Sequence, residues 1–321
     1  PAPERKRGSA LGVQSLIRRF AALCNTPGGR LWLRCKLTDK SKFEDAGGKQ
    51  MNRVLCSTGA LIGPPNGWDF ALLRAYADKL ECDGYEFLMY GAWHENADDL
   101  RRFLKNFPAS IPVFHAEKRI GDLISRNEDG DTETALELFR RNCALARGIG
   151  AEKMVVHLWG GLDSDKDIAH NFAYYKYLRE ISDSYGLALT VENVVCNEHS
   201  PMYHMRSLVE MYSDIRFTFD TKMAAFHGEL DLLYQEENQG LFPHICHMHI
   251  NDYGGGYKEW KKLRTLHVGE GNIDFDTLFR FINKSGYCGD FTVEATSYDQ
   301  SGSVDFESLN RTFRKIREYT G

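Results

Sequence analysis

The 321-residue chain lacks both a cysteine motif and a long apolar run. Its eight cysteines are scattered and none forms a C-x-x-C pair, which favours free thiols in a reducing compartment such as the cytoplasm over a disulfide framework. No stretch approaches the roughly 18 consecutive apolar residues that a membrane helix needs. Apolar residues still make up 42% of the chain, so a sizeable core can form. We therefore expect a cytoplasmic protein with no membrane partner.

Acidic residues are scarce in one part of the chain only. Residues 1–50 hold 11 Lys and Arg against 4 Asp and Glu, whereas residues 51–321 hold 29 basic and 41 acidic residues. An acidic body is a poor partner for a polyanion, because nucleic-acid binding rests on clusters of Lys and Arg. The charge therefore argues against a nucleic-acid partner.

Residues 1–50 also lack the regular pattern that follows them. They are basic and interrupted by glycine pairs, and Met51 directly precedes a strand-like run at 53–57. We expect residues 1–50 to be a basic extension that is disordered or non-native, either upstream sequence or an Arg-rich transit peptide. A helix over 11–23 is plausible within it. Residues 51–321 are expected to form a single folded domain.

From Met51 onward, short apolar runs alternate with amphipathic segments, which is typical of a parallel α/β fold. The predicted strands cover 53–57, 84–89, 112–115, 154–157, 188–192, 216–220, 245–250 and 291–294. The predicted helices cover 68–81, 98–106, 132–147, 167–185, 206–212, 230–238, 274–284 and 305–319. Asp98 and Asp131 are candidate helix caps, and Gly148 and Gly186 are candidate helix ends.

Eight strands alternating with eight helices predict a (β/α)₈ TIM barrel, whose usual size of about 250 residues suits the domain. An open doubly wound sheet is the alternative. Such a sheet usually has a glycine-rich phosphate loop after its first strand, and the segment S-T-G-A-L-I-G at 57–63 fits that pattern badly.

Polar side chains follow the apolar runs where seven of the predicted strands end. In order along the chain they are Glu86, His115, His157, Glu192, Asp220, His249 and Glu294. Ionised groups after buried strands cost several kcal/mol unless they are paired or bound to a cation. In a TIM barrel, the carboxyl ends of the strands meet at one face, where the chemistry takes place. The series therefore indicates a functional site at that face.

Four members of the series form a candidate metal site: Glu192, Asp220, His249 and Glu294. Three carboxylates that converge without a cation would raise one another's pKa values. Three oxygen donors and one imidazole suit a single divalent ion, with Mn²⁺, Mg²⁺ or Co²⁺ preferred and Zn²⁺ an alternative.

The other members have alternative interpretations. His115 and His157 are individually also compatible with satisfied core or rim histidines. Glu86 is compatible with a simple pair to a lysine.

Residues 51–321 resemble the sugar phosphate isomerase/epimerase superfamily, the xylose isomerase-like TIM barrels, which are related to endonuclease IV. The matching segments are V-V-H-L-W-G-G (155–161), T-V-E-N (190–193), F-T-F-D-T-K (217–222), H-M-H-I-N-D-Y (247–253), H-V-G-E-G-N-I-D-F (267–275) and G-Y-C-G-D-F-T-V-E (286–294). Each motif is weak alone, but together in this order they are specific. The resemblance implies a catalytic barrel that binds a divalent metal.

The family pattern implies particular ligands. The histidine three residues before Asp252 is the usual ligand, which is His249; His247 is its competitor, since strand alternation places both on one face. Many members carry a histidine at the position of Met223, so a further metal at that end is not expected here. Lys222 is interpreted either as a cation for a substrate oxygen or phosphate, or as a solvated loop lysine.

Further side chains are candidates for the substrate pocket. We predict substrate contacts from Glu86, His115, His157, Trp159, Lys222 and His267. Trp159 would stack on a sugar ring. His267 precedes the G-E-G turn at 269–271, whose glycines let the backbone approach a ligand.

The resemblance implies an isomerase or epimerase of a sugar or sugar phosphate that works through a metal-stabilised enediolate, with Glu192 and Glu294 transferring the proton. A lyase or dehydratase acting on an inosose- or dehydroshikimate-like keto-polyol is the alternative, and an endonuclease IV-like phosphodiesterase is less favoured. The expected partner is a small sugar or sugar-derived substrate. Assembly into a homo-oligomer is compatible with the sequence.

Overall fold

Eight parallel strands close into a barrel in the computed structural model, which describes residues 52–238, 240–299 and 301–321. The strands are β1 Val54–Ser57, β2 Tyr85–Leu88, β3 Val113–His115, β4 Lys153–Val156, β5 Ala188–Glu192, β6 Phe217–Asp220, β7 Ile245–His249 and β8 Asp290–Val293. Each strand pairs with the next, and β8 returns to β1 through the register Val54↔Phe291. The predicted (β/α)₈ class is confirmed, and the open sheet is excluded.

Helices connect the strands on the outside of the barrel. They are α1 Leu73–Ala77, α2 Ala97–Lys105, α3 Arg119–Arg126, α4 Asp131–Gly148, α5 Ile168–Ser184, α6 Pro201–Met211, α7 Thr221–Phe226, α8 Phe275–Lys284 and α9 Phe306–Thr320. No helix within the described ranges is both long and apolar enough to span a bilayer.

Several helix predictions were wrong. The segment predicted as a helix at 230–238 forms the 3₁₀ turns Leu230–Tyr234 and Glu236–Asn238, and only Leu73–Ala77 of the predicted 68–81 is α-helical. The short helices α3 and α7 were not predicted. Both are shorter than the window over which hydrophobic periodicity is read.

Two predicted caps were also wrong. Asp131 is itself the first residue of α4, where its carboxylate accepts from Arg126 and from the Glu128 backbone N–H. Asp98 lies inside the first turn of α2. Gly186 has a left-handed φ of 70° two residues after the end of α5, as its predicted role at a helix end requires.

Strand alternation divides the apolar residues into two layers. Val54, Cys56 and their equivalents face the helices and join the main core. Inside the barrel, Leu55, Val113 and Val155 form a small separate cluster. The rest of the interior is strongly polar, which is unusual because barrel interiors are usually filled by branched apolar side chains. The predictions for residues 1–50, including the helix over 11–23, lie outside the described ranges.

Candidate metal centre

Four side chains from consecutive strands meet at the C-terminal mouth of the barrel. Glu192, Asp220 and His249 are the last residues of β5, β6 and β7, and Glu294 follows β8 directly. Their candidate ligand atoms all lie within 4.8 Å of one another. The fold therefore brings together the four residues of the predicted metal site.

His249 points one ring nitrogen at the three carboxylates. Its Nδ1 lies 3.3 Å from Glu192 Oε1, 3.4 Å from Glu294 Oε2 and 4.0 Å from Asp220 Oδ2. This nitrogen is buried and has no hydrogen-bond partner within the described ranges. A buried lone pair surrounded by carboxylate oxygens fits a divalent cation, because neutral imidazole and carboxylate are both ligands of such ions.

His247, the alternative ligand, lies deeper in the barrel. Its Nε2 is 2.8 Å from Glu86 Oε2 and 3.0 Å from Thr292 Oγ1. It therefore binds Glu86 rather than the carboxylates of the candidate metal site, and the geometry favours His249 as the ligand.

The two carboxylate oxygens of Asp220 have different partners. Its Oδ1 accepts the N–H of Met223 at 3.0 Å and so caps α7. Its Oδ2 accepts a hydrogen bond from Asn251 Nδ2 at 3.3 Å. Met223 thus helps, through its backbone N–H, to orient a candidate ligand.

Asn251 is a site residue that sequence reasoning missed. Its Nδ2 also donates to Glu294 Oε2 at 3.3 Å, and its Oδ1 accepts the Glu294 N–H at 2.9 Å. Asn251 therefore fixes the carboxylates of Asp220 and Glu294 relative to each other. Its place in the H-I-N-D segment, two residues after His249, was the available signal.

The carboxylates differ in their electrostatics. Burial raises the pKa of Asp220, and the charges of Glu294 and Glu192 raise it further against the opposing effect of Lys222. Burial also acts on Glu192, but His157 and His249 outweigh it and hold the pKa of Glu192 well below its usual range. The predicted mutual rise of the carboxylate pKa values is therefore found at Asp220 and not at Glu192. Excess negative charge at Asp220 is what a bound cation would offset.

His115 and His157 both contact Glu192. The Nε2 atoms lie 3.0 and 2.8 Å from Glu192 Oε2. His115 Nδ1 donates to the Ala116 carbonyl at 2.7 Å, so Nε2 of neutral His115 carries a lone pair that faces a carboxylate. Burial lowers the pKa of His157 to about 4 despite Glu192.

Lys222 lies in the site and is nearly buried. Its Nζ donates to Thr265 Oγ1 at 2.9 Å and lies 3.8 Å from Asp220 Oδ2. Burial lowers the pKa of Lys222, but the carboxylates of Asp220, Glu294 and Glu192 outweigh it and raise the pKa above its ordinary value. The interpretation as a solvated loop lysine was wrong.

Two predicted pocket residues lie away from open space. Trp159 is fully buried, and its indole N–H donates to the Val194 carbonyl at 3.2 Å, so no ring face is open to a sugar. His267 uses both ring nitrogens, with Thr312 Oγ1 at 2.9 Å and Ser297 Oγ at 2.6 Å. This packing argues against both predicted substrate contacts.

Glu86 does not lie at the end of its strand, where the sequence analysis placed it. It lies within β2 and is fully buried in the barrel interior. Its partners are the imidazoles of His247 and His249, not a lysine. The carboxylate therefore lies below the site and has no surface for a substrate.

The glycine turn after β7 is filled by a side chain of the protein. Asp252 is fully buried, and its Oδ2 accepts the N–H groups of Gly269 and Gly271, both at 2.9 Å. Its Oδ1 accepts the N–H of Ile273 at 3.1 Å. An internal carboxylate thus occupies the backbone donors that could otherwise bind an anionic substrate group.

The fold and the cluster of Glu192, Asp220, His249 and Glu294 define the class of protein as a (β/α)₈ barrel with a carboxylate–imidazole cluster at its C-terminal mouth. The family model of the xylose isomerase-like TIM barrel matches residues 74–316, and the chain belongs to that family. The predicted superfamily is thereby confirmed.

Known proteins resemble the chain at low sequence identity. The uncharacterized protein MJ1311 of Methanocaldococcus jannaschii is 28% identical over 157 residues, which cover 46% of this chain and 51% of that protein. The match therefore spans about half the length of this curated relative.

Solved structures share the fold over most of the chain. A D-tagatose 3-epimerase-like protein has a TM-score of 0.62 at 21% identity, covering 83% of this chain and 96% of that one. D-allulose 3-epimerase from Methylomonas sp. has a TM-score of 0.61 at 15% identity, covering 84% and 98%. L-ribulose 3-epimerase has a TM-score of 0.58 at 16% identity, covering 84% and 99%.

Proposed function

We propose that the protein is a divalent-metal-dependent isomerase or epimerase of a sugar. The observation that carries this proposal is the unpartnered Nδ1 of His249, which faces the carboxylates of Glu192, Asp220 and Glu294. Sugar epimerases among the structural neighbours support it. One divalent ion, with Mn²⁺, Mg²⁺ or Co²⁺ preferred over Zn²⁺, would bind two neighbouring substrate oxygens and polarise the carbonyl.

Glu192 and Glu294 are the proposed proton carriers. Within the described ranges, Glu294 Oε1 accepts no hydrogen bond, while its Oε2 is held by Asn251. Glu294 Oε1 is therefore placed to take a proton from the carbon next to the carbonyl. Glu192 would return it from the opposite side of His249, with Oε2 held by His115 and His157. Lys222 would orient a substrate oxygen.

We propose further that the substrate is uncharged. The glycine turn that could bind a phosphate already holds the Asp252 carboxylate. The single nearly buried ammonium at the described site, Lys222, is engaged by Thr265 and lies beside Asp220. The buried carboxylates of Glu86, Glu192 and Asp220 and the partly buried one of Glu294 also disfavour another anion.

The test is turnover in heavy water. The metal-loaded protein would be screened by NMR against free ketoses, their phosphates, inososes and 3-dehydroshikimate. We expect a free ketose to be converted with deuterium on the carbon next to the carbonyl. Loss of water from an inosose would establish the dehydratase alternative. A product free of deuterium would contradict proton transfer through solvent-exchanging carboxylates.

Glutamine variants at the two carboxylates test their roles. E192Q and E294Q keep an oxygen for the metal but remove the base, so kcat should fall by at least about 10²-fold while KM changes little. E117Q is the control, because Glu117 is another buried glutamate with an imidazole partner, His94. Glu117 lies outside the metal group, by which we mean Glu192, Asp220, His249 and Glu294. Full activity in both site variants would refute the assignment.

A phosphodiesterase is the second candidate, and one observation favours it. His115, His157 and Glu192 form a further group whose ligand atoms lie within 4.8 Å of one another, and two-metal sites suit phosphodiester hydrolysis. Elemental analysis decides between the candidates. One ion per chain supports the isomerase, whereas two or more, with cleavage of a phosphodiester, would support the hydrolase.

A further inference from the structure

The buried carboxylate of Glu86 contacts the side of His249 that faces away from the metal group. Glu86 Oε1 and Oε2 lie 3.0 and 3.2 Å from His249 Nε2. The other ring nitrogen, Nδ1, faces the three carboxylates of the site. Glu86 and the candidate metal ligands therefore contact different nitrogens of the same imidazole ring.

The hydrogen-bond partners of Glu86 are both histidines of β7. Its side chain is fully buried, and within the described ranges its oxygens form hydrogen bonds with the Nε2 atoms of His249 and His247. An ionised carboxylate has no proton to donate and can only accept hydrogen bonds. His249 must therefore carry its proton on Nε2, which leaves the lone pair on Nδ1.

We propose that Glu86 is a positioning residue that fixes the tautomer and ring orientation of His249 for metal binding. The inference rests on the metal centre of the proposed function and deepens it. Glu86 touches neither substrate nor metal in this role and acts through His249. A carboxylate behind a metal-bound imidazole also makes that imidazole a stronger ligand.

His247 has a lesser part in the same arrangement. It donates to Glu86 Oε2 at 2.8 Å and so holds the carboxylate from below. Removing His247 leaves the contact between Glu86 and His249 intact. Removing Glu86 leaves the Nε2–H of His249 without its acceptor and the ring free to rotate.

The experiment measures Mn²⁺ affinity by calorimetric titration of full-length variants. E86A should raise the dissociation constant by about 10–100-fold. E86Q should raise it by a smaller factor, about 3–10-fold, because a neutral amide oxygen still accepts from Nε2–H but forms a weaker hydrogen bond. H247Q should change it by less than about 3-fold.

E117Q is the matched control, because Glu117 is also a buried glutamate held by an imidazole and by Asn142, at 3.0 Å. It should bind Mn²⁺ like the unmodified protein. In the Zn²⁺-loaded protein, NMR should show a protected imidazole N–H signal from His249 that persists in E117Q and disappears in E86A. A purely structural role for Glu86 would not produce this difference.

Three outcomes decide the matter. A folded E86A protein with unchanged Mn²⁺ affinity would overturn the role of Glu86 while leaving the metal centre in place. If E86A does not fold, E86Q takes its place, and unchanged affinity in E86Q would overturn the proposal equally. Absence of Mn²⁺ binding in the unmodified protein would refute the metal centre and the role of Glu86 together.

Discussion

Glu192 and Glu294 occupy unequal surroundings although both lie next to His249. Both oxygens of Glu192 face imidazoles, and its side chain is 3% exposed, whereas the side chain of Glu294 is 14% exposed. A proton on Glu294 can therefore exchange with solvent more readily than one on Glu192. We expect the two proton transfers in the proposed reaction to differ in how much solvent deuterium each incorporates.

Single substitutions among the metal-group residues should remove the ion without unfolding the chain. D220A and H249A should each abolish stoichiometric binding of a divalent ion, because each deletes one of few ligands and leaves the carboxylates uncompensated. Elemental analysis after desalting measures this, with circular dichroism to confirm the fold.

H267Q is the control for these variants, since His267 is a buried histidine that contacts Thr312 and Ser297 instead. Undiminished metal in both D220A and H249A would move the ion to the group of His115, His157 and Glu192.

The metal-group residues could be predicted because a polar residue directly after an apolar strand has a fixed direction in a barrel. The orientations of Trp159 and His267 could not be predicted, since the direction of a loop side chain depends on tertiary packing. Glu86 was recognised as polar but misinterpreted. Its strand position places it two residues before the end of β2, where the side chain points into the barrel rather than into the mouth.

At the level of elements, α3 is held against the end of β4 by a glycine. A Cβ on Gly121 would lie 2.6 Å from the His157 carbonyl oxygen and 3.0 Å from that of Trp159. Gly121 therefore sets how closely α3 approaches the strand that carries His157. The helix was not predicted, because eight residues between two loops give too little periodicity.

G121A should destabilise the protein by about 1–3 kcal/mol, because the added methyl group overpacks a rigid backbone contact. G148A provides the matched control. Gly148 ends α4, and an added Cβ there meets nothing within 4 Å, so that variant should be neutral or stabilising by up to about 1 kcal/mol. Urea unfolding compares the two. Equal stability would show that α3 can shift away without cost.

Asp165 connects the segment after β4 to the loop that precedes α6. It is nearly fully buried, and its oxygens accept from His204 Nε2 and from the backbone N–H groups of Asn197, Glu198 and His199. Burial raises the pKa of Asp165, but these donors outweigh it and hold the pKa well below its ordinary value. The stabilisation from a depressed carboxyl pKa is complete above the unfolded value of about 3.9 and fades as the pH falls further.

D165N should therefore lower the free energy of unfolding by about 2–4 kcal/mol at pH 7. The difference in unfolding free energy between D165N and the unmodified protein should become smaller below about pH 4. Unfolding curves at a series of pH values test this. D163N is the control, because Asp163 is paired with Lys166 at the surface, at 3.3 Å; it should change stability by less than about 0.5 kcal/mol. A difference that is independent of pH would refute the ionic explanation.

For the whole molecule, the described residues from Asn52 onward already close the barrel. Val54 and Leu55 pair with β8, Asn52 donates to the Gly289 carbonyl just before β8, and Arg53 binds Asp290 at its start. A chain that begins at Met51 should therefore keep its melting temperature and metal content. Differential scanning calorimetry of the shortened and full chains measures this. A loss of several degrees on shortening would show that residues 1–50 pack on the barrel.

The count and order of elements were predictable because parallel strands between helices repeat the same short pattern eight times. The polar interior of the barrel could not be predicted from the sequence. Lys153, Asp290 and Arg53 form ion pairs at the lower end of the barrel, and each of these residues alone looks like an ordinary strand-edge charge. Only closure of the barrel shows that two of them share a buried space.

With the proposed ion bound, the polar interior would make the thermal stability of this barrel depend on that ion as well as on the chain. Glu86, His247 and His249 occupy volume that branched aliphatic residues would fill in a drier barrel. Stability lost in this way is restored by mass action, since a ligand held only by the folded state adds about 2.7 kcal/mol at a hundredfold excess over its dissociation constant. Cells short of the metal would then hold less folded protein, so that its abundance would follow metal supply.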